Sequence, residues 1–174
     1  PETFYRRPAD IRVQVNDRFD RRFDTLWETA AERFPVVGER TAKYLTWRFG
    51  RCPDTDYRVL CISNQQDELL AYLVYRQHGT MILIGDIFFA DPRHIDTLLA
   101  ELLRLARKQK AEAVIAIYLG SQTVCGRLKH FGFWQRPCEW KALLYVDKKS
   151  APPTGPLFDP ENWHLTYADI DTDE

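Results

Sequence analysis

Residues 80–133 constrain the fold of this chain more than any other stretch, because they read as strand, helix, strand and helix with clear boundaries. Residues 81–89 form an apolar run short enough for a buried strand. The helix predicted over residues 92–109 carries one apolar face, and residues 113–119 predict the next strand. A strand, a crossover helix and a second strand of this size normally form a right-handed parallel unit.

The rest of the chain supplies the remaining elements of a sheet flanked by helices. Alternation, helical periodicity and turn residues predict a strand at 11–16, helices at 23–34 and 39–49, an antiparallel meander over 57–63, 69–76 and 80–89, a short helix at 122–131, and strands at 133–136, 141–146 and 163–167. Pro35 and Gly50 end the first two helices. The sequence therefore predicts an α/β chain with a mixed, mostly antiparallel sheet.

Composition limits the classes of partner. The 174 residues suit one domain, and the formal net charge of −1 gives no overall attraction to nucleic acid or to an anionic membrane. No run of about 18 apolar residues and no signal peptide is visible, so we expect a cytoplasmic protein. The four cysteines lack metal spacing and are expected to be reduced thiols; no metal is expected. The sequence starts at Pro1, so it can be a piece of a longer protein.

The order of the predicted elements, together with the short helix that closes on Gly132-Phe133, resembles the GNAT superfamily of N-acetyltransferases. The resemblance covers nearly the whole chain. It implies a GNAT-like acyl-CoA acyltransferase fold, with a core at 1–147, a Pro-rich loop at 148–162, and a terminal strand and acidic tail at 163–174 that pack on the same domain.

In that family acyl-CoA lies in the opening between the fourth and fifth strands, with its pyrophosphate at the start of the long helix, where unpaired N–H groups and the helix dipole favour an anion. The resemblance implies Asp86 as a base for the attacking amine and Tyr118 as a proton donor to the leaving thiolate. The residues that it places on the cofactor are Ile87, Phe88, Phe89, Arg93, His94, Ser121 and Gln122.

The chain departs from the family pattern at two points. The glycine-rich pyrophosphate loop is replaced by Ala90-Asp91-Pro92, in which Asp91 is an N-cap that uses helix donors and Pro92 has no N–H. The position that often carries a tyrosine acid, four residues before the glycine of Gly-Phe, is Leu128.

Most of the candidate residues also have a simpler interpretation. Asp86 can face solvent or cap a turn, Tyr118 can be a packing residue, and Ser121 can be only a helix cap. His164 is the best placed of the four histidines for acid–base work, and is otherwise a partly buried strand residue. The resemblance also places Trp27, Trp47 and Arg48 at the wall of an acceptor channel, with core packing as the alternative for Trp27.

The function expected from the resemblance is transfer of an acyl group, by preference acetyl, from acyl-CoA to an amine of a small molecule or peptide. The alternative is a non-catalytic GNAT-like domain that binds a ligand or completes a longer two-domain protein. A second GNAT-like domain before this chain, or a homodimer, fits either. A transferase that uses aminoacyl-tRNA is disfavoured, because the net charge offers no basic surface.

Overall fold

The structure is a computed structural model that describes residues 2–53, 55–137 and 154–170. Its strands are β1 (Arg12–Asn16), β2 (Val36–Val37), β3 (Tyr57–Ser63), β4 (Leu69–His78), β5 (Met81–Phe89), β6 (Ala113–Ala116), β7 (Tyr118–Gly120) and β8 (Trp163–Thr166). Its helices are α1 (Arg21–Ala30), α2 (Ala42–Leu45), α3 (His94–Lys108), α4 (Gln122–His130) and α5 (Thr154–Leu157). None of the described helices is long and apolar enough to cross a membrane.

The central sheet has the order β1-β3-β4-β5-β6 and is mostly antiparallel. The pairs β1–β3, β3–β4 and β4–β5 are antiparallel, and β5–β6 is parallel. This arrangement confirms the predicted fold class, the meander and the parallel strand–helix–strand unit. The second sheet, with the order β2-β8-β7, continues from the end of β6.

Helices cover both faces of the central sheet because each carries an apolar stripe. The stripe of α3 is fully buried on one face and includes Ile95, Leu98 and Leu102. The stripe of α1 packs on the other face through Phe23 and Leu26, together with α2. Complete burial of a side chain of this size stabilises the fold by roughly 1.5–3 kcal/mol.

A bulge in β5 lies at the middle of the sheet. Val74 of β4 pairs with Asp86 and Tyr75 pairs with Ile84, so Gly85 is an extra residue without a partner. A Cβ at this position would lie 3.0 Å from the ring of Phe49. A bulge bends its strand and increases the local twist. After Gly85, β5 stays paired with β4 through Phe89, whereas its pairing with β6 ends at Ile84.

The predicted strand at 113–119 is divided in the structure. Residues 113–116 form β6 and pair with β5, whereas β7 at 118–120 pairs with β8 in the second sheet. The apolar pattern was correct for extended structure, but it carries no information about a change of partner. A strand that changes sheets separates from β5 at this point, and that separation creates the candidate site.

Three other features differ from the sequence-based prediction: the start of a helix, a predicted strand that does not form and a short strand that was not predicted. The helix predicted at 39–49 begins only at Ala42, because the Thr41 hydroxyl caps it by accepting a 3.2 Å hydrogen bond from the N–H of Tyr44. It continues as a wider π-helical turn over Thr46–Gly50. Residues 133–136 form no strand, and residues 141–146 lie outside the described residues. The two-residue strand β2 was not predicted, since it is too short to show periodicity.

Candidate active site

A gap opens between β5 and the strands that follow it. The parallel pairing of β5 and β6 ends at Ile84 and Ala116, and the two chains then diverge. The N–H of Ala90 bonds to the carbonyl of Leu70, so Ala90 faces β4. Successive residues of a strand present their backbone N–H and C=O groups to opposite sides. The backbone groups of Phe88 therefore also point to β4, whereas those of Ile87 and Phe89 point to the gap. The cofactor-binding residues predicted in β5 thus divide between its two edges.

His164 bridges the gap from β8. Its Nε2 lies 2.7 Å from the carbonyl oxygen of Ile87, and its side chain is fully buried. A carbonyl oxygen only accepts hydrogen bonds, so Nε2 carries the proton and Nδ1 is left as an acceptor. The ring contacts Phe34 and Phe89 at centroid distances of 4.5 and 5.7 Å. Burial lowers the pKa of His164, while the Asp86 charge acts in the opposite direction.

Tyr118 lies on the far side of His164. Its hydroxyl oxygen is 3.4 Å from Nδ1 of His164 and accepts a 3.1 Å hydrogen bond from the N–H of Ser121. Burial raises the pKa of Tyr118 to about 12, against the effect of the Ser121 hydrogen bond, so the phenol is protonated at neutral pH. With the oxygen accepting from Ser121, the phenol proton is free to point at Nδ1.

Asp86 is a fully buried member of a polar cluster. Its Oδ2 accepts a 2.7 Å hydrogen bond from the hydroxyl of Tyr72, and its Oδ1 accepts one of 2.7 Å from Thr166. Nε of Arg40 lies 2.9 Å from Oδ2, an ion-pair distance, although its N–H does not point along a hydrogen bond. Desolvation and the Asp86 charge raise the pKa of Tyr72 well above its usual value.

Arg40 joins this cluster to the end of the described chain. Its two terminal nitrogens bind both carboxylate oxygens of Asp169, at 3.0 and 2.5 Å. Burial disfavours the guanidinium charge, but the two carboxylates outweigh it and raise the pKa of Arg40. No local pattern in the sequence indicates the roles of Arg40, Thr166 and Asp169 in this cluster, because the contacts of Arg40 with Asp86 and Asp169, and of Thr166 with Asp86, join positions 46–129 residues apart.

The start of α3 is already occupied. The Asp91 carboxylate accepts a 2.8 Å hydrogen bond from the N–H of Arg93, and the N–H groups of His94 and Ile95 bond to the carbonyls of Asp91 and Pro92. The Arg93 guanidinium, on an exposed side chain, folds back onto Asp91 and lowers the pKa of that carboxyl to about 2. Burial lowers the pKa of His94, whose buried Nδ1 has no hydrogen-bond partner among the described residues.

The start of α4 is occupied in the same way. The Ser121 hydroxyl caps the helix at 3.5 Å from the N–H of Val124, and the N–H of Gln122 bonds to the carboxylate of Glu161 at 2.9 Å. Ser121 and Gln122 therefore lie at the gap, with their backbone groups engaged by this chain. No group of three or more His, Cys, Asp or Glu side chains in the described residues is arranged to hold a metal ion.

A cleft of about 580 Å³ lies between the π-helical turn and the end of the described chain. Trp47, Arg48 and Asp169 are among its lining residues, and the side chain of Trp47 is 64% exposed. Arg48 is held by a 3.0 Å hydrogen bond to the carbonyl of Ile170. Of the three residues predicted at an acceptor wall, Trp27 is not in the cleft: its ring packs on Phe88 at 5.7 Å.

No protein-family model and no curated protein sequence matches the chain. Among solved structures, a candidate acyl-CoA N-acyltransferase from Klebsiella pneumoniae superposes with a TM-score of 0.53 at 18% identity, over 76% of this chain and 88% of that one. A ribosomal-protein-alanine N-acetyltransferase from Brucella melitensis gives 0.50 at 9% identity, over 79% and 99%.

The enzyme AAC(6′)-Iy, solved with the bisubstrate analogue CoA-S-monomethyl-acetylneamine, gives a TM-score of 0.50 at 8% identity, over 80% of this chain and 99% of that one. Identities this low show a shared fold. The chain has the fold of the GNAT acyl-CoA N-acyltransferases, as the strand order and the Gly132-Phe133 closure predicted.

Proposed function

We propose that this chain transfers an acyl group from acyl-CoA to an amine. The observation that carries the proposal is the gap beyond Ile84 and Ala116, which His164 bridges at Ile87. On one side lies the edge of β5 at Phe89, which pairs with no strand of the described residues, and on the other the phenol of Tyr118. A strand edge offers backbone donors and acceptors to a ligand with amide groups, and the pantetheine arm of CoA has two amides. The solved structure of AAC(6′)-Iy with a CoA-linked analogue supports the choice of donor.

The remaining cofactor residues are assigned by their place around the gap. In our proposal the pantetheine arm bonds to the backbone of Phe89 and packs beside Ile87, whose carbonyl stays bonded to His164, and Phe88 packs in the core behind them. Arg93 and His94 lie at the start of α3, where the exposed guanidinium can turn from Asp91 toward the pyrophosphate. Ser121 and Gln122 lie at the opposite wall, at the start of α4.

Tyr118 is the proton donor to the CoA thiolate in this proposal. A phenol that keeps its proton at neutral pH is suited to protonate a leaving group, and Tyr118 is partly exposed at the gap. Correct placement of amine and thioester supplies much of the rate enhancement of such a reaction. The tyrosine expected at position 128 is therefore not required.

The assignment of Asp86 as the base stays a prediction, and it requires that a substrate amine reach a carboxylate that is already bonded within a buried cluster. Its oxygens are bonded to the hydroxyls of Tyr72 and Thr166 and paired with Arg40. An amine can reach Asp86 only by displacing one of these groups. If Asp86 is the base, Asp86→Asn abolishes turnover while the affinity for acetyl-CoA stays unchanged.

The cleft at Trp47 is the proposed acceptor site. It is open to solvent, and the exposed indole of Trp47 suits a ligand that carries a cationic amine on a planar or apolar frame. This description fits both a small molecule and a peptide. Substitution of the exposed Trp47 by Ala is expected to raise KM for the amine and to leave KM for acetyl-CoA unchanged.

The experiment that tests the function combines binding and turnover. Titration calorimetry measures acetyl-CoA binding, and a thiol reagent follows CoA release with a panel of primary amines. A donor present at a hundred times its Kd also raises the free energy of unfolding by about 2.7 kcal/mol. Tyr118→Phe is expected to lower kcat and to keep the Kd. No binding and no thiol release with 1 mM acetyl-CoA would refute the proposal.

A second candidate is a non-catalytic domain with the same fold. It is favoured by three internal contacts at the places a donor would use: Asp91 at α3, Glu161 at α4 and His164 on the carbonyl of Ile87. The same experiment separates the two. Binding of CoA without thiol release from any amine would favour the second candidate.

A further inference from the structure

We propose that His164 is a positioning residue that receives the proton of the attacking amine through Tyr118 and returns it through Tyr118 to the leaving thiolate. The proposal rests on the acyl transfer proposed above. It adds a proton acceptor to that reaction, in place of a carboxylate base that would have to leave its ion pair.

The geometry behind the proposal is the fixed orientation of one imidazole. The Ile87 carbonyl, at 2.7 Å, holds the proton on Nε2, so the lone pair of Nδ1 points to the hydroxyl of Tyr118 at 3.4 Å. Phe34 and Phe89 pack against the ring and prevent it from turning. A distance of 3.4 Å is long for a hydrogen bond, but catalytic hydrogen bonds often shorten only when substrate is bound.

The burial of His164 explains why the proton has to pass through Tyr118. His164 is 0% exposed, so no substrate can touch it. Tyr118 is partly exposed and contacts the His164 ring edge-on at 5.4 Å. A proton that leaves a substrate in the gap moves to the Tyr118 oxygen, and the phenol proton of Tyr118 moves to Nδ1 of His164.

The steps balance without an added acid or base. The amine nitrogen attacks the thioester carbonyl and forms the new C–N bond, its proton moves to the Tyr118 oxygen, and the phenol proton moves to Nδ1 of His164. The C–S bond then breaks, and the thiolate takes the proton of Tyr118 while the imidazolium returns one to the phenol. The products are an amide and CoA thiol, and both residues recover their starting states.

The charges that face His164 suit a transient imidazolium. Asp86 of β5 and Asp169 beyond β8 favour the protonated ring, Arg40 disfavours it, and Tyr118 is neutral. Two carboxylates against one guanidinium leave a net negative environment. Burial lowers the pKa of His164, so the ring is neutral at rest and charged only while it holds the proton.

Kinetics of two matched variants test this path in the full chain. His164→Gln keeps an N–H donor for the Ile87 carbonyl but has no titratable nitrogen, and Tyr118→Phe removes the phenol. Each is expected to lower kcat by roughly 100-fold or more, with the Kd for acetyl-CoA unchanged within about threefold. The double variant should lose no more than the worse single variant, because both residues belong to one path. His78→Gln makes the same substitution at an exposed histidine at the end of β4, outside the site, and as the control should keep kcat within about threefold.

The pH profile separates this role from a structural one. With the wild-type chain, kcat should fall at low pH as His164 becomes protonated, and His164→Gln should remove that limb of the profile. A His164→Gln variant that keeps wild-type kcat and the acid limb overturns the proposal. Fully additive losses in the double variant overturn it as well.

A measurement without substrate makes the result independent of turnover. The chain has four histidines, so nitrogen NMR of the labelled imidazoles can resolve His164. We expect protonated Nε2 and unprotonated Nδ1 at pH 7, and a change in the Nδ1 resonance in Tyr118→Phe. A protonated Nδ1, or no change, overturns the proton path. Absence of acetyl-CoA binding and turnover in the wild-type chain overturns the proposed function instead.

Discussion

Arg40 and Asp86 form an ion pair in which both side chains are completely buried, with Nε of Arg40 2.9 Å from Oδ2 of Asp86. The guanidinium also binds Asp169 through two nitrogens, so one cation serves two carboxylates. A buried charge is costly unless it is paired and hydrogen-bonded. Arg40 therefore fastens the segment before α2 to β5 and to the residues after β8.

The first prediction concerns the asymmetry of this cluster. Arg40→Met leaves two carboxylates without their cation, and we expect it to lower the free energy of unfolding by about 3–5 kcal/mol. Asp86→Asn leaves Arg40 paired with Asp169 and keeps a polar partner for Tyr72. We expect it to cost about 1–3 kcal/mol. Urea denaturation at pH 7 measures both values.

A surface pair provides the control for the cluster. Arg58 and Asp56 lie 2.8 Å apart, but both side chains are largely exposed, so Arg58→Met is expected to change stability by less than about 1 kcal/mol. Equal losses for Arg40→Met and Asp86→Asn would contradict the view that Arg40 neutralises both carboxylates.

The second prediction compares two glycines. A Cβ at Gly120 would collide with the backbone carbonyl of Trp163 and lie 2.5 Å from the Tyr118 hydroxyl oxygen, so Gly120→Ala must push β8 away from β7. We expect a loss of at least about 1–3 kcal/mol. Gly126 lies inside α4 with open space around its Cβ position, and Gly126→Ala should gain about 0.5–1 kcal/mol.

Thermal denaturation of the two alanine variants measures this difference. Gly120→Ala should also weaken the contact of His164 with Ile87, because β8 carries His164. The expectation fails if Gly120→Ala is as stable as Gly126→Ala.

Local patterns in the sequence were sufficient for most of the fold. The β-branched and aromatic residues of β3, the continuous apolar run of β5 and the apolar stripe of α3 are patterns of neighbours along the chain, so these elements could be predicted within a few residues. The pairing of β7 with β8 and the strand β2 could not, because pairing depends on residues far apart in sequence. The helix boundary at Ala42 depends on one hydroxyl, that of Thr41.

The candidate site was predictable only in part, for the same reason. Asp86 and Tyr118 were identified by their position in a recognised order of elements. The prediction of Asp91 as the N-cap was wrong by two residues: Arg93 holds that position, and the Asp91 carboxylate accepts the N–H of Arg93. The partners that decide what these residues can do are Arg40, His164 and Glu161. Each is brought to the site by a tertiary contact between residues that lie 39–77 positions apart in the sequence.

The third prediction concerns Glu161 at the start of α4. Its carboxylate bonds to the N–H of Gln122, a residue that the proposed function assigns to CoA, so it occupies a donor and places a negative charge beside it. If CoA binds in the gap, Glu161→Gln should tighten its binding by up to about fivefold, since a charge about 4 Å away in water is worth ~1 kcal/mol and a more distant one less. Calorimetry in 50 mM salt measures the effect.

Glu112→Gln is the matched control for the charge change. Glu112 bonds to Thr80 at the opposite end of the parallel strand pair, 2.7 Å away, and its loss should leave the affinity for CoA unchanged. Equal tightening in both variants would show a general effect of net charge, and a loss of affinity in Glu161→Gln would show that the carboxylate helps to form the site.

The last prediction follows the buried imidazole of His164 as the pH falls. Burial holds its pKa in the folded chain below the value of 6.5 for an unburied histidine. Below pH 6.5 the unfolded chain therefore binds a proton that the folded chain does not. The free energy of unfolding decreases as the pH is lowered, until the pH reaches the pKa of His164 in the folded chain. In that window His164 contributes a slope of up to about 1.4 kcal/mol per pH unit.

Urea denaturation of wild type and His164→Gln at half-unit steps from pH 7.5 to 5 measures this slope. The variant loses the titrating group, so its deficit relative to wild type should be largest at pH 7.5 and shrink toward pH 5. His94, whose pKa is lowered in the same direction, contributes equally to both proteins and cancels in the difference. A deficit that is constant over the range would mean that His164 is not held neutral by burial, and the proton path through Tyr118 would lose its resting state.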